Sequence, residues 1–274
     1  MSLRKAPKRK AAKKDKGTVS GSTSPYFDAS VTSSRAKISR ETPKEADDLG
    51  RNQMLSKGSK KLGKSFFDQQ CIKLAKQLLG QVLVRHVNGK RLAGKIVETE
   101  AYVGAEDTAS HTFNGRQTPS NKSMFLSPGH AYVYLTYGMY HCINITSNGS
   151  GEAVLLRALS PSLGEDAMTR FRSEASKRQN RQFKTKEVCN GPAKLCQALN
   201  IDRSMDGTDL TTSNTLWVES GDCVPDADIV SCPRIGIHSA TKEWVEKPLR
   251  FYVRGEPCVS KRNRAVEEAT DEKT

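Results

Sequence analysis

Two glutamates one residue apart, Glu98 and Glu100, share the run IVETEAYV with Tyr102. On an extended strand, alternation puts Ile96, Glu98, Glu100 and Tyr102 on one face, and Val97, Thr99, Ala101 and Val103 on the other, which reads as the buried face. A carboxylate beside an aromatic ring can take a proton from water and stabilise positive charge developing on a sugar. An exposed strand face gives the same Glu-x-Glu spacing, and spacing alone does not separate the two. Four of the seven tyrosines, Tyr132, Tyr134, Tyr137 and Tyr140, fall in the run GHAYVYLTYGMYHCINI. Such rings suit an unpaired nucleobase, since stacking contributes about 1–3 kcal/mol per base and tolerates sequence. A buried tyrosine-rich strand fits the same pattern.

Other polar residues stand in telling places. Arg157 interrupts the apolar run AVLLRALSP and Asn144 the run CINIT. A buried arginine needs a carboxylate, and either Glu98 or Glu100 can supply it; a satisfied edge position is the alternative for both residues. His111 lies in a Gly/Ser/Thr-bearing loop, where a lone histidine is a surface residue, a turn contact or a stacking ring. Arg116 and Lys122, in GRQTPSNK, are candidate phosphate contacts or solvated loop charges.

These residues need a scaffold, and the pattern supplies one. QQCIKLAKQLLG reads as an amphipathic helix with Ile72, Ala75, Leu78 and Leu79 on its apolar side, Asp68 as its cap and Gly80 as its stop. QVLVRHV, the turn Asn88-Gly89 and KRLAGKIVETEAYVG form a hairpin. A two-residue turn sets Val87 opposite Lys90 and Val82 opposite Lys95, so the returning strand outruns its partner from about Ile96 and carries the glutamates to a rim. A long loop follows, then the tyrosine strand, a bend at Gly138, and two further strand-like runs, HCINITSN and GEAVLLRALSP. Gly191-Pro192 opens a helix over AKLCQALNI. TLWVES, RIGIH and KPLRFYVRG read as strands. The expected fold class is α+β: one domain with a curved antiparallel sheet core and flanking helices, preceded by a basic tail.

Charge divides the chain. The net charge is +14, and residues 1–64 carry 17 Lys+Arg against 6 Asp+Glu while the rest carries 27 against 24. The opening run MSLRKAPKRKAAKKDK lacks the apolar content to form a core and reads as a nuclear targeting signal, a phosphate-attracting arm or a solvated tail. Order is expected to begin near Phe66, with a disordered tail and linker over 1–64, a folded domain over 65–264 and a disordered C-terminus over 265–274. No secretory leader or membrane span is read from the sequence. The seven cysteines offer no Cys-x-x-Cys pair and no Cys/His quartet suited to zinc, so they read as reduced and structural, with no metal and no cofactor expected.

Taken in order, IVETEAYVG, His111, GRQTP, YVYLTYGMYHCINI, LLRAL, GPAKLCQAL and KPLRFYVRG resemble the alkyladenine (3-methyladenine) DNA glycosylase family of animal type, from about Phe66 to Val259. The resemblance implies a monofunctional glycosylase of base excision repair. It would flip alkylated or deaminated purines out of duplex DNA and hydrolyse the N-glycosidic bond, with double-stranded DNA as its partner, no membrane, and a monomeric state. By the resemblance Glu100 is the general base that activates water, Arg157 helps to position that water, and the backbone carbonyl of Ile235 is a third water contact. Tyr102, His111 and Tyr134 sandwich the flipped base, with polar contacts to its edge near Ala109 and His111. Tyr137 is the wedge that replaces the lesion, flanked by Met139 and Tyr140, and Asn144 crowds the 2-amino group of guanine. Two rivals stay open: a non-catalytic damaged-DNA-binding protein of the same fold, and a bifunctional enzyme using an amine such as Lys95 or Lys194. The basic tail is a candidate site for protein partners.

Overall fold

The structure is a computed structural model that describes residues 60–176 and 182–271. Among the described residues eight strands form one sheet in which every pairing is antiparallel: β1 (Val82–Val87), β2 (Lys90–Tyr102), β3 (Ala131–Thr136), β4 (Tyr140–Thr146), β5 (Ala153–Leu163), β6 (Leu216–Glu219), β7 (Ile229–Cys232) and β8 (Arg250–Val253). The order is β3-β4-β5-β2-β1-β6, with β8 beside both β2 and β7. The sheet curls and helices flank it, among them α1 (Cys71–Gln77), α2 (Glu165–Glu174), α3 (Pro192–Ala198), α4 (Lys242–Glu246) and α5 (Arg264–Asp271). This is the expected α+β architecture. Among the described residues no helix is long and apolar enough to cross a membrane.

The β1–β2 hairpin has the register that its turn dictates, Val87 opposite Lys90 and Val82 opposite Lys95. Asn88 and Gly89 both have positive φ, 51° and 70°, the geometry whose twist matches paired strands. β2 does outrun β1, and β8 takes the vacated edge from Glu98 to Glu100 while β5 covers the other. The expected rim is therefore a floor: Glu98 and Glu100 are both fully buried.

The expected alternation along β2 fails at one point. Ile96 pairs with Leu159 but Glu98 pairs with Ala158, so Val97 is an extra residue; Thr99 then pairs with Leu156, so Arg157 is an extra residue on β5. A bulge reverses the faces on either side of it. Ile96 consequently joins Ala101 in the main core, while Val97 packs with Ala158 and Cys258. Only Glu98, Glu100 and Tyr102 keep the shared face.

Five further expectations change. In α1 the buried stripe is Cys71, Leu74 and Ala75, and Ile72 is exposed; Gln70, not Asp68, sits at the cap position, and Asp68 instead closes the preceding turn, Lys64–Phe67. RIGIH is not a strand: β7 ends at Cys232, Pro233 has no N–H to give a ladder, and the Ile235 N–H is bonded to a side chain. Order already exists at Lys61, which bridges Glu219, and at Leu62, whose N–H donates to Val218; the rest of the expected tail, 1–59, lies outside the described residues. Part of the segment expected to be disordered from residue 265 is helix α5, tied down by Glu267, which is buried and accepts from the Tyr252 hydroxyl at 2.9 Å.

Candidate active site

A cavity of about 550 Å³ opens between the end of β2, the β3–β4 hairpin and the loop after β7. Its size and mix of rings with a few polar groups are those of a small-molecule site. Glu100, Tyr102, His111, Tyr134, Asn144, Arg157 and Ile235 all line it. Glu100 is held on both carboxylate oxygens. Oε1 accepts the Ile235 N–H at 2.8 Å and lies 3.1 Å from Arg157 Nη1, while Oε2 accepts the Tyr102 hydroxyl at 3.0 Å. Burial, and then the neighbouring Glu100, push the Tyr102 phenol well above its usual pKa, which keeps it a donor.

Arg157 bridges the two glutamates. Its Nε donates to Glu98 Oε1 at 3.0 Å while its Nη1 faces Glu100. Burial opposes its charge, but Glu100 and Glu98 outweigh that and raise its pKa. Glu98 is itself an anchor: Arg250 Nη1 donates to it at 2.9 Å, the Ser260 N–H at 2.7 Å and the Ser260 hydroxyl at 2.8 Å. A fourth buried pair stands beside them, Arg234 with Asp107, both side chains fully buried, with Arg234 Nη2 donating to Asp107 Oδ1 at 2.8 Å. Asp107 Oδ1 also accepts the Ala109 N–H at 3.0 Å, fixing the loop that leads to His111.

The rings form two walls. Tyr132 and Tyr134 stack at 5.3 Å between centroids, and His111 meets Tyr134 edge to face at 4.7 Å. His111 and Tyr134 thus make one corner rather than two parallel plates. His111 Nδ1 shares a hydrogen bond of 2.8 Å with the Tyr132 hydroxyl, and burial lowers the pKa of the imidazole, so the neutral ring is favoured. Asn144 is buried and donates to the Tyr132 carbonyl at 3.2 Å.

Tyr137 stands at the mouth of the cavity on the tip of the β3–β4 hairpin, 84% exposed, with φ of 51°. A bulky side chain is uncommon in that left-handed region. Met139 and Tyr140 are also exposed, and Tyr140 shares the cavity while Met139 does not line it. An exposed aromatic tip above a buried carboxylate and a ring-lined slot is an arrangement for handling one planar group taken out of a larger molecule.

The family model for methylpurine-DNA glycosylase matches residues 65–257. The chain belongs to that family. It is therefore a DNA glycosylase, an enzyme of base excision repair that hydrolyses the N-glycosyl bond. It is 51% identical over 213 residues to the DNA-3-methyladenine glycosylase of Homo sapiens, a match covering 77% of this chain and 71% of the human protein. The enzyme of the same name from Mus musculus is 50% identical over 77% of this chain and 64% of its own length. A putative 3-methyladenine DNA glycosylase of Methanocella arvoryzae is 44% identical over 73% of this chain and 96% of its own length.

The glycosylase cavity gathers most of the residues singled out from the sequence, Ala109 among them, but not all. Arg116 lines an adjoining hollow with His141 and Arg203, and Lys122 another, with Asp206. The carboxylate expected for a buried Arg157 is supplied by both Glu98 and Glu100, whereas the anchoring of His111 by Tyr132 has no signal in the sequence. Asp107, Arg234 and Ser260 were missed. Arg234 was hidden by reading RIGIH as a strand, and the only available signal was that a buried arginine requires a carboxylate.

Proposed function

We propose that this glycosylase everts a damaged purine, alkylated or deaminated, from duplex DNA into the cavity and cuts it free by water attack, leaving an abasic site. The observation that carries the reading is the convergence of Glu100, Tyr102, His111 and Tyr134 on one cavity. Eversion costs a few kcal/mol, least for a weakly paired lesion, so damage contributes to its own selection. Tyr102 and the His111–Tyr134 corner hold the purine, and backbone groups near Ala109 and His111 meet its polar edge. Glu100 takes the proton from water as the oxygen bonds to the anomeric carbon, and its charge faces the cationic sugar. Arg157 and the carbonyl of Ile235 orient that water.

Tyr137 fills the gap left in the duplex, with Met139 and Tyr140 beside it. Asn144 crowds the 2-amino group of guanine, a steric exclusion of the normal base. Arg116 and Lys122, both exposed, contact backbone phosphates without reading sequence. Among the described residues no lysine lines the cavity, which supports attack by water over attack by an amine. The enzyme acts as a monomer in the nucleus, with residues 1–64 supplying the targeting signal and a site for partners.

The deciding experiment is Glu100→Gln assayed on a hypoxanthine-containing duplex, with alkali cleavage of abasic sites. The amide keeps the shape but cannot take the proton. Excision should fall by roughly 10²–10⁴-fold with lesion binding retained. Unchanged single-turnover excision would reject the assigned base, and a borohydride-trapped protein–DNA adduct would reject the monofunctional mechanism.

A further inference from the structure

We infer that Arg234 sets which damaged purines the cavity favours, acting through the ring of Tyr102; the inference rests on the base-flipping reading above. The Arg234 guanidinium lies 4.6 Å from the Tyr102 ring centroid. Tyr102 lines the cavity and Arg234 does not, and the arginine side chain is fully buried. The cation therefore backs the ring on the side away from the purine. It is fixed there by Asp107 and by the carbonyl of Ala101, to which Nη1 donates at 2.9 Å.

A ring attracts a cation through its electron-rich face. A guanidinium pressed on one face uses that attraction and leaves the opposite face less able to attract a second cation. A purine stacked on the open face would lie roughly 8 Å from the guanidinium, where the paired Asp107 carboxylate offsets part of the charge, so the change in a rate or affinity is severalfold rather than that of a lone unit charge.

The sign of the effect depends on the lesion. When the N-glycosidic bond breaks, its electron pair leaves with the purine nitrogen. Water supplies the oxygen that bonds to the anomeric carbon, and its proton passes to Glu100. An N-alkylated purine carries positive charge beforehand and departs neutral. A neutral purine departs with negative charge, until it takes up a proton, by way of Glu100 for example. The buried cation behind Tyr102 opposes the first as it binds and stabilises the second as it leaves. Arg234 is thus a positioning residue that biases the enzyme toward neutral lesions.

The test compares single-turnover excision of 7-methylguanine, a cationic lesion, with that of hypoxanthine, a neutral one. Asp107→Asn combined with Arg234→Gln keeps the pair neutral overall and able to hydrogen-bond, but removes the cation. The ratio of cationic to neutral excision should rise severalfold, because the cation on the ring face is lost while the net charge of the pair is unchanged. A merely structural role would lower both rates in proportion, and an unchanged ratio overturns the inference. Should the double variant fail to fold in a thermal melt, Arg234→Lys carries the same test: a compact ammonium follows Asp107 and leaves the ring, so the ratio should rise severalfold, and no rise overturns the inference. If the wild-type protein excises neither lesion, the proposed function fails instead.

Discussion

Replacing Glu98 by alanine should destabilise the fold by about 3–5 kcal/mol, because the carboxylate is the shared partner of two buried arginines. It accepts from Arg157, Arg250 and both the N–H and the hydroxyl of Ser260, at 2.7 to 3.0 Å. Arg157 and Arg250 are only 6% and 3% exposed, so truncation leaves their charges with little access to water. Arg157 would still face Glu100, and Arg250 would keep the carbonyls of Pro233 and Lys261, which holds the loss inside that range. In a domain of this size each kcal/mol lowers Tm by about 2–4 °C, so the midpoint should fall by roughly 6–20 °C. Glu98→Gln keeps an oxygen for the arginines but turns an amide toward one of the donors, and its loss should be about 1–3 kcal/mol. Both variants should excise at least tenfold more slowly in single turnover below their midpoints, because small misplacements of a positioning group are costly to rate. An alanine variant that melts within about 2 °C of wild type, or that excises at the wild-type rate while folded, would refute the anchoring role.

Two other outcomes follow from local geometry. Tyr137→Ser should leave Tm nearly unchanged, since the side chain is 84% exposed, yet weaken lesion binding by roughly 10–100-fold, the equivalent of one stacked ring. Fluorescence anisotropy on a lesion duplex decides it, and affinity within twofold of wild type removes the wedge. Gly80→Ala should do the reverse: at φ of 85° its Cβ would meet the Asp222 carbonyl oxygen at 2.2 Å, costing at least 1–2 kcal/mol in a melt while excision by the folded fraction stays normal. A Tm at or above wild type would show that the Asp222 loop yields freely.

Much of this was legible in the sequence because local chemistry dictated it. The Asn88-Gly89 turn fixed a hairpin register that the structure reproduces pair for pair. The family resemblance, rather than local chemistry, implies that Tyr102, Tyr134 and His111 lie close together, and the three line one cavity. What stayed hidden depended on partners distant in the chain. Alternation could not foresee the bulge at Val97, which sends Ile96 to the opposite face. Helical periodicity admitted Ile72 to the apolar side of α1, whereas the stripe that is buried runs through Cys71, Leu74, Ala75 and Leu78, an equally regular spacing. RIGIH has strand composition, yet its backbone serves Glu100 and its arginine serves Asp107, and neither demand is written in the segment itself.

The bulge on β5 explains why one guanidinium can serve both glutamates. Leu155 pairs with Glu100 and Leu156 with Thr99, so a regular ladder would set Arg157 directly across from Glu98. Glu100 would then be a diagonal neighbour, roughly 7–8 Å away along the sheet. The extra residue makes Arg157 and Ala158 together oppose Glu98, which shifts the arginine back toward Glu100 and re-aims its side chain. Nε then reaches Glu98 at 3.0 Å while Nη1 reaches Glu100 at 3.1 Å. Glu98 anchors the arginine from the side of β8 and Ser260, which leaves Glu100 free of that anchoring and turned to the cavity. The irregular register thus gives two carboxylates on one strand different surroundings, Glu98 tied into a buried ion-pair network and Glu100 lining the cavity.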